Sequence, residues 1–540
     1  MLMFLIVQKS LYIYYMARKN KYISWSELGA HSVWSVRELL RKFHYWRFLN
    51  RAHKSTILCG GFPLDSQQIE AVVACEDAQL VLASAGSGKT MSLLAKIEYL
   101  NRELRIPADE ILAISFTKKT VDELAERCEI KGVEFRTFHG LGNSILRQSG
   151  REFRGRTLIS EAETAQFIAQ QKPDYPVEEL MTFLSLHKNA QYSVADVIKR
   201  EMVADESAQE TARKFLKTYF KIYFAYEEYL KTNNKYDFAD MINQAELAVR
   251  EKPNVALGYK YILLDEVQDL SRNRCLLVRA ILRKNPGCKL FAVGDDWQSI
   301  YRFTGSDLTL IRDFETTFGL KTRRSLIETT HRFGNPTIKI SSEFVQKNPT
   351  QSHKNVFNFK GQPTPIHVIY NRPELRDDDT KSLNIILQTI IEEQGYEIVK
   401  TKEFQIISRF NHDLRRLKSS ENLKIIPDDA TGTAKIYWRS ARSPNDVLKL
   451  EFCSMHKSKG ITRDIVIVLN MNSSLMGMPA RRETNPIIDK LLSHEDDFAF
   501  AEERRLFYVA ITRAREATYL IANYQKPSPF VLEISDNDEK

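Results

Sequence analysis

One run constrains the fold of this chain more than any other: Ala83-Ser84-Ala85-Gly86-Ser87-Gly88-Lys89-Thr90. An apolar stretch at 79–83 precedes it and reads as a buried strand. A helical pattern follows, with Leu93, Ile97, Leu100 and Leu104 on one stripe. Gly86 and Gly88 let backbone N–H groups approach phosphate oxygens with no Cβ in the way. Lys89 places a point charge on β- and γ-phosphates, and the Thr90 hydroxyl is a Mg²⁺ ligand. The dipole of the following helix points at the same phosphates. The strict Walker A pattern begins with Gly, where this chain has Ala83. A chance Gly-rich turn would not bring strand, loop and helix into register, so residues 83–90 are expected to bind ATP with Mg²⁺.

A second apolar run, Tyr261-Ile262-Leu263-Leu264, ends in Asp265-Glu266. Two adjacent carboxylates at the end of a buried strand are costly unless a cation sits between them and a substrate. Asp265 is therefore expected to hold Mg²⁺, and Glu266 to orient and deprotonate the attacking water. Further apolar runs at 111–116, 289–293, 404–409 and 464–469 alternate with helical patterns. Such alternation predicts an α/β chain with parallel sheets covered by helices. Residues 141–235 break the rhythm and read as helical. Phe215, Tyr219, Ile222, Tyr226 and Tyr229 fall at helical spacing there, as a core face rather than a base-stacking platform.

Composition narrows the partners. A 540-residue chain with 43% hydrophobic and 27% charged residues is long enough for several cores. The net charge of +9 favours a polyanion, although a basic balance alone is compatible with a merely soluble protein. Cys59, Cys75, Cys128, Cys275, Cys288 and Cys453 form no C-x-x-C pair and no zinc spacing, which fits a reducing cytoplasm. The apolar start at 1–7 is interrupted by Gln8 and Lys9, far short of the about 20 residues of a span, so no membrane is expected. Met16-Ala17-Arg18-Lys19 reads as an ordinary start, with residues 1–15 an extension of the frame. The aromatic and basic residues of 20–60, among them Trp25, Trp34 and Trp46, read as a docking helix rather than a nucleic-acid arm.

With these residues on the page, the chain resembles superfamily 1 helicases of the UvrD/Rep family, and within it the helicase IV branch. The resemblance runs from about Leu64 to Phe530 in family order. Leu64-Asp65-Ser66-Gln67-Gln68 looks like the Q motif, which implies that Gln68 contacts adenine. The run from Ile111 through Phe116 and Thr117 looks like a DNA-contacting motif, although Lys118 stands where the family commonly has Asn. Arg136-Thr137-Phe138-His139-Gly140 resembles the next one, and Tyr236-Asp237-Phe238-Ala239-Asp240-Met241 the acidic-aromatic segment before the carboxylate strand. Val267-Gln268-Asp269 completes D-E-x-Q-D. In Gly294-Asp295-Asp296-Trp297-Gln298-Ser299-Ile300-Tyr301-Arg302-Phe303, the D-D-W-Q form points to the helicase IV branch. The resemblance implies that Gln298 senses the γ-phosphate. Trp297, Tyr301 and Phe303 lie near a DNA path, where stacking is worth about 1–3 kcal/mol per base. Phe303 fits a core position equally well. Thr330-His331-Arg332-Phe333 carries a phosphate-contacting arginine, Arg332. Ser454-Met455-His456-Lys457-Ser458-Lys459-Gly460 couples DNA to ATP through His456 and Lys459, with Thr462 where the family often has Glu. The final motif, from Glu502 to Arg515, holds Arg513. Placed on a helical stripe with Leu506 and Val509, Arg513 faces inward and needs an anion. A γ-phosphate held by the other lobe is the expected one, and arginine fingers of this kind are worth roughly 10³–10⁵ in rate.

The resemblance implies two RecA-like lobes: the first from 61–140 and 236–312, interrupted by a helical insertion at 141–235, and the second from 313–409 and 451–540. A partly helical segment occupies 1–60. Residues 410–450 are too few for the family's large duplex-engaging domain and are expected to form a reduced accessory region, with Arg415, Arg416, Lys418 and Lys424 near phosphate. The chain ends soon after Arg515, so no nuclease domain is expected. The implied activity is an ATP-dependent motor moving 3′→5′ on single-stranded DNA and DNA junctions, with repair or replication proteins as partners. The alternative is a translocase that remodels DNA-bound proteins without processive unwinding. A scaffold with a dead ATP site conflicts with intact Lys89, Asp265, Glu266, Gln298 and Arg513.

Overall fold

The computed structural model describes residues 63–150, 155–201, 206–359, 361–371, 378–443, 445–481, 486–492 and 498–535. The N-terminal segment 1–60, the Met16 start and Cys59 lie outside them. No described helix is long and apolar enough to cross a membrane.

The first sheet is wholly parallel. Its strands are β1 (Ala78–Ala83), β2 (Ile111–Ser115), β3 (Glu134–Thr137), β4 (Tyr261–Leu264), β5 (Lys289–Gly294) and β6 (Thr322–Ile327), in the order β3-β2-β4-β5-β1-β6. β1, β2 and β4 are buried along their whole length, which is why they read as unbroken apolar runs rather than alternating ones. β6 belongs to this sheet, pairing with β1 from Thr322 to Ile327, so the first lobe runs past the expected boundary at 312. Its sequence, Thr-Arg-Arg-Ser-Leu-Ile, is that of a half-exposed edge strand and carries little apolar signal.

The helical insertion also starts later than expected. The helix Phe138–Ser149 packs Leu141, Ile145 and Leu146 into the first sheet's core. The insertion proper holds helices Glu161–Gln170, Val177–Ala190, Val194–Glu201 and Glu206–Thr232. Phe215, Tyr219, Ile222 and Tyr226 are at most 5% exposed in its core, as their spacing implied. Ile487, Ile488 and Leu491, from the second lobe's helix Pro486–Leu491, complete that core.

The second sheet comprises β7 (Ile366–Asn371), β8 (Phe404–Ser408), β9 (Leu423–Asp428), β10 (Thr433–Arg439), β11 (Val447–Ser454), β12 (Arg463–Val468) and β13 (Ala514–Asn523), in the order β7-β13-β12-β8-β11-β10-β9. The pairs from β7 to β11 are parallel, whereas β9, β10 and β11 form an antiparallel meander. Residues 410–450 are thus the edge of this sheet and no separate body. Leu423, Ile436, Trp438 and Leu448 join the core beneath the helix Thr380–Gln394. Arg416 does not face solvent phosphate: it pairs with buried Asp379 at 2.7 Å.

Trp438 is 2% exposed and its Nε1 donates to Asn384 Oδ1 at 2.8 Å. Trp438→Ala should therefore destabilise the second lobe by about 3–5 kcal/mol, read from denaturant unfolding. A loss below about 1 kcal/mol would mean that the meander is an independent appendage.

Candidate active site

The carboxyl ends of β1, β4, β5 and β6 converge on one cleft, the usual ligand position of an open parallel sheet. β1 delivers the phosphate loop, which turns into the helix Lys89–Glu98. Gly86 and Gly88 have φ of 74° and 77°, the left-handed region that favours glycine. A Cβ on Gly86 would lie 2.5 Å from Arg332 Cβ, and one on Gly88 2.7 Å from Gln68 Nε2. The loop is thus clasped from both sides. Thr330 Oγ1 donates to Ala85 O at 2.9 Å, His331 N to Gly86 O at 2.9 Å, and Gln68 Nε2 to Ser87 O at 2.9 Å. Gln68 also accepts from Asp65 N at 2.9 Å, so its amide braces the loop. The hydroxyls of Ser84 and Ser87 are buried with no partner, and they point to an acceptor-rich ligand.

β4 delivers Asp265 and Glu266. Glu266 is a non-glycine residue at φ 48°, a conformation costing of order 1–3 kcal/mol that re-aims its carboxylate. Burial and the neighbouring Glu266 charge push Asp265 up to about 7. Burial acts on Glu266 as well, but Lys89, Lys459 and a 2.5 Å bond from Gln268 Nε2 hold it below the usual range. Hydroxyl and carboxylate oxygens are the hard donors that suit Mg²⁺, and the described residues hold no all-protein cluster for a metal.

Arg332 and Arg513 reach the cleft from the other wall. Arg332 donates to Thr512 O at 3.0 Å, and Arg513 to Val509 O at 2.7 Å and Gln298 Oε1 at 3.2 Å. Neither forms a direct ion pair with a described carboxylate. Burial, and for Arg332 the charge of Arg513, lowers both guanidinium pKa values, that of Arg513 to about 10. Arg513 is 1% exposed but lies beyond the helix Ala501–Ile511, so the turn after the helix and not a helical stripe turns it inward.

The residues expected on DNA divide. Lys118 and Thr117 are exposed, and Phe116 is half-buried beneath the Arg274 guanidinium. His139 packs against Phe238 at 4.6 Å, and His456 against Phe303 at 5.3 Å. Tyr301 is partly buried and donates to His456 O at 3.2 Å. Phe238 and Phe303 are 45% and 49% exposed, so these two rings are the open ones. Phe238 opens the helix Phe238–Glu251, directly after the N-cap Asp237, a place its sequence neighbours do not reveal. Trp297 and Lys459 do not lie where the DNA reading places them. Trp297 is 0% exposed, packed edge-on against Tyr508 and joined to Ala85 and Phe333 in a cluster between the lobes; no base reaches it. Lys459 commits its ammonium to Asp269 at 2.6 Å and Gln298 O at 2.9 Å, on the nucleotide side.

Residues 64–319 match the UvrD/REP helicase N-terminal domain, and 439–525 the UvrD-like helicase C-terminal domain. The chain belongs to the UvrD/REP helicase family. It is 29% identical to DNA helicase IV of Escherichia coli (strain K12), over 87% of this chain and 69% of that protein. It is 26% identical to the ATP-dependent DNA helicase Rep of Buchnera aphidicola, over 70% and 59%, and 25% to PcrA of Leuconostoc citreum, over 70% and 51%. The chain thus spans between about half and two-thirds of the length of these UvrD/REP relatives.

Two expectations follow for this family member. If they act on transition-state charge, Arg332→Ala and Arg513→Ala should each lower kcat by roughly 10³-fold or more with nucleotide affinity nearly retained. Equal losses in both quantities would indicate plain binding. His139 and His456 are held down to about 4 by burial and by Arg274 and Arg409 respectively. Both stay neutral down through their ordinary value near 6.5, and charging them there disfavours the folded state. The salt dependence of oligo-dT binding should therefore be the same at about pH 6 and pH 8. A steeper slope at the lower pH would show that they bind phosphate as cations.

Proposed function

We propose that this chain is an ATP-driven motor that moves 3′→5′ along single-stranded DNA. The observation that carries it is a pair of arginines, half-buried Arg332 and buried Arg513, with no ion-paired carboxylate among the described residues, opposite a phosphate loop and a carboxylate pair. A polyphosphate is the anion that fits this cleft. Lys89 and the loop N–H groups of 84–90 hold the β- and γ-phosphates. Thr90 and Asp265 hold Mg²⁺, which supplies charge neutralisation on the phosphates when bound. Glu266 takes the proton of the attacking water. Gln298 orients the γ-phosphate, and Arg332 and Arg513 offset charge in the transition state. Closure of the lobes on ATP and reopening after hydrolysis shift the rims that carry Thr117, Lys118, His139, Phe238, Tyr301, Phe303 and His456 relative to one another. On a gripped strand that cycle is a step. The direction rests on family resemblance, as do action at DNA junctions and partners in repair or replication; a cytoplasmic location rests on the scattered, unpaired cysteine pattern.

A second reading has its own support. Residues 410–450 build a sheet edge and no separate duplex-engaging body. This favours a translocase that strips or remodels DNA-bound proteins and unwinds long duplex poorly when alone, since each base-pair step costs about 1.4 kcal/mol of stacking.

Strand displacement on 3′-tailed and 5′-tailed duplexes, with ATPase measured alongside, tests both. ATPase should rise on adding single-stranded DNA of any sequence, and only 3′-tailed substrates should open. An ATPase rate indifferent to DNA would refute the motor. Processive opening of long duplex by one copy would refute the second reading.

A further inference from the structure

Behind the γ-phosphate sensor lies a buried lysine that no motif includes. Lys354 sits between the helix Thr337–Gln346 and the short strand Phe357–Asn358, on the second-lobe side. Its side chain is 0% exposed. Nζ lies 2.6 Å from Asp295 Oδ1, 2.8 Å from Asp296 Oδ1 and 4.6 Å from the centre of the Trp297 ring. Those three residues open the loop that follows first-lobe strand β5. The same stretch holds them a second time through Ser352, whose N donates to Asp296 Oδ2 at 2.8 Å and whose O accepts from Trp297 Nε1 at 2.9 Å.

Asp295 is the node of a longer chain of bonds. Its Oδ2 accepts from Gln298 Nε2 at 2.5 Å, and Gln298 Oε1 accepts from Arg513 at 3.2 Å. In the other direction, Asp295 N donates to Gln268 Oε1 at 2.9 Å, and Gln268 Nε2 donates to Glu266 Oε2 at 2.5 Å. One aspartate thus touches the sensor directly and the water-activating carboxylate through one amide. A fully buried aspartate stays charged and fixed only beside a cation that is itself fixed. Lys354 is that cation, and it comes from the other lobe.

We propose that Lys354 is a positioning residue for ATP hydrolysis. It pins Asp295 as an anion at the lobe interface, and so sets the amide of Gln298 and, through Gln268, the carboxylate of Glu266. Removing it leaves the phosphate loop and its nucleotide grip in place but loosens sensor and base together. The proposal rests on the hydrolytic reading of the cleft.

The test is a double-mutant cycle in the full chain, with Lys354→Met, Gln298→Ala and the combination. ATP turnover is measured with single-stranded DNA present and normalised to the number of sites that bind a fluorescent ADP. Lys354→Met should lower kcat on the order of 10²-fold, as expected of misplaced catalytic groups, with KM for ATP within a few-fold of wild type. In the Gln298→Ala background the same change should cost clearly less than in the wild type, because the branch through Gln298 is already gone and only the branch through Gln268 to Glu266 remains. Should Lys354→Met lower the fraction of binding-competent protein, Lys354→Met/Asp296→Asn leaves the cluster with less excess charge, and its rate per bound nucleotide should remain as low. Losses that multiply in the cycle, or a deficit that vanishes on counting binding sites, would overturn the proposal and leave Lys354 a fold-holding residue. An inactive wild type would instead sink the hydrolytic reading itself.

Discussion

Two guanidinium groups, Arg332 half-buried and Arg513 fully buried, with no ion-paired carboxylate among the described residues, define the cleft. A buried cation costs several kcal/mol unless an anion meets it, and the charge of Arg513 lowers the Arg332 guanidinium further. Their hydrogen-bond partners are carbonyl oxygens, the Thr512 hydroxyl and the Gln298 amide, which orient them but do not neutralise them. Opposite stand the Lys89 loop, clasped by Thr330 and Gln68, and the Asp265–Glu266 pair. An isolated anion would satisfy the arginines alone, and an isolated cation the carboxylates alone. A magnesium-bound triphosphate would answer both walls at once, and nucleotide binding and the relation between the lobes would then be one equilibrium.

The same walls set where the residues proposed to contact DNA lie. An apolar cluster of Ala85, Trp297, Phe333, Ile338, Val345 and Tyr508 is buried between the lobes, beside the arginines. The aromatic and basic rim lies outside that cluster. Lys459 lies between the two sides: its ammonium is on Asp269 beside the catalytic carboxylates and 5.0 Å from the Tyr301 ring, whose hydroxyl reaches His456 O. A movement at the rim is therefore mechanically close to the nucleotide.

Much of this was legible in the sequence, for a physical reason. Parallel strands buried on both faces are unbroken apolar runs, so β1, β2, β4, β5, β8 and β12 stand out, and chemistry at their carboxyl ends is short and local. What failed to show depends on distant partners. β6 is a polar edge strand recognisable only by its pairing with β1. The meander β9–β11 has one buried face and carries no signal that it extends the second sheet. Trp297 reads as a base-stacking aromatic until Tyr508 and Lys354 cover it. Lys459 reads as a DNA contact until Asp269 takes its charge. Lys354 stands among polar residues and becomes informative only when Asp295 and Asp296 are brought to it.

The central claim is that phosphate held by one lobe draws in the arginines of the other. It is tested most directly by the distance between spin labels at Lys119 of the first lobe and Tyr524 of the second, whose side chain and residue are 84% and 70% exposed. A non-hydrolysable ATP analogue with Mg²⁺ should collapse the distance distribution to one narrow population in the wild-type background. In Arg332→Ala/Arg513→Ala the analogue should bind and leave the distribution broad. Equal narrowing in both proteins would contradict the account, because the lobes would then close without the arginines.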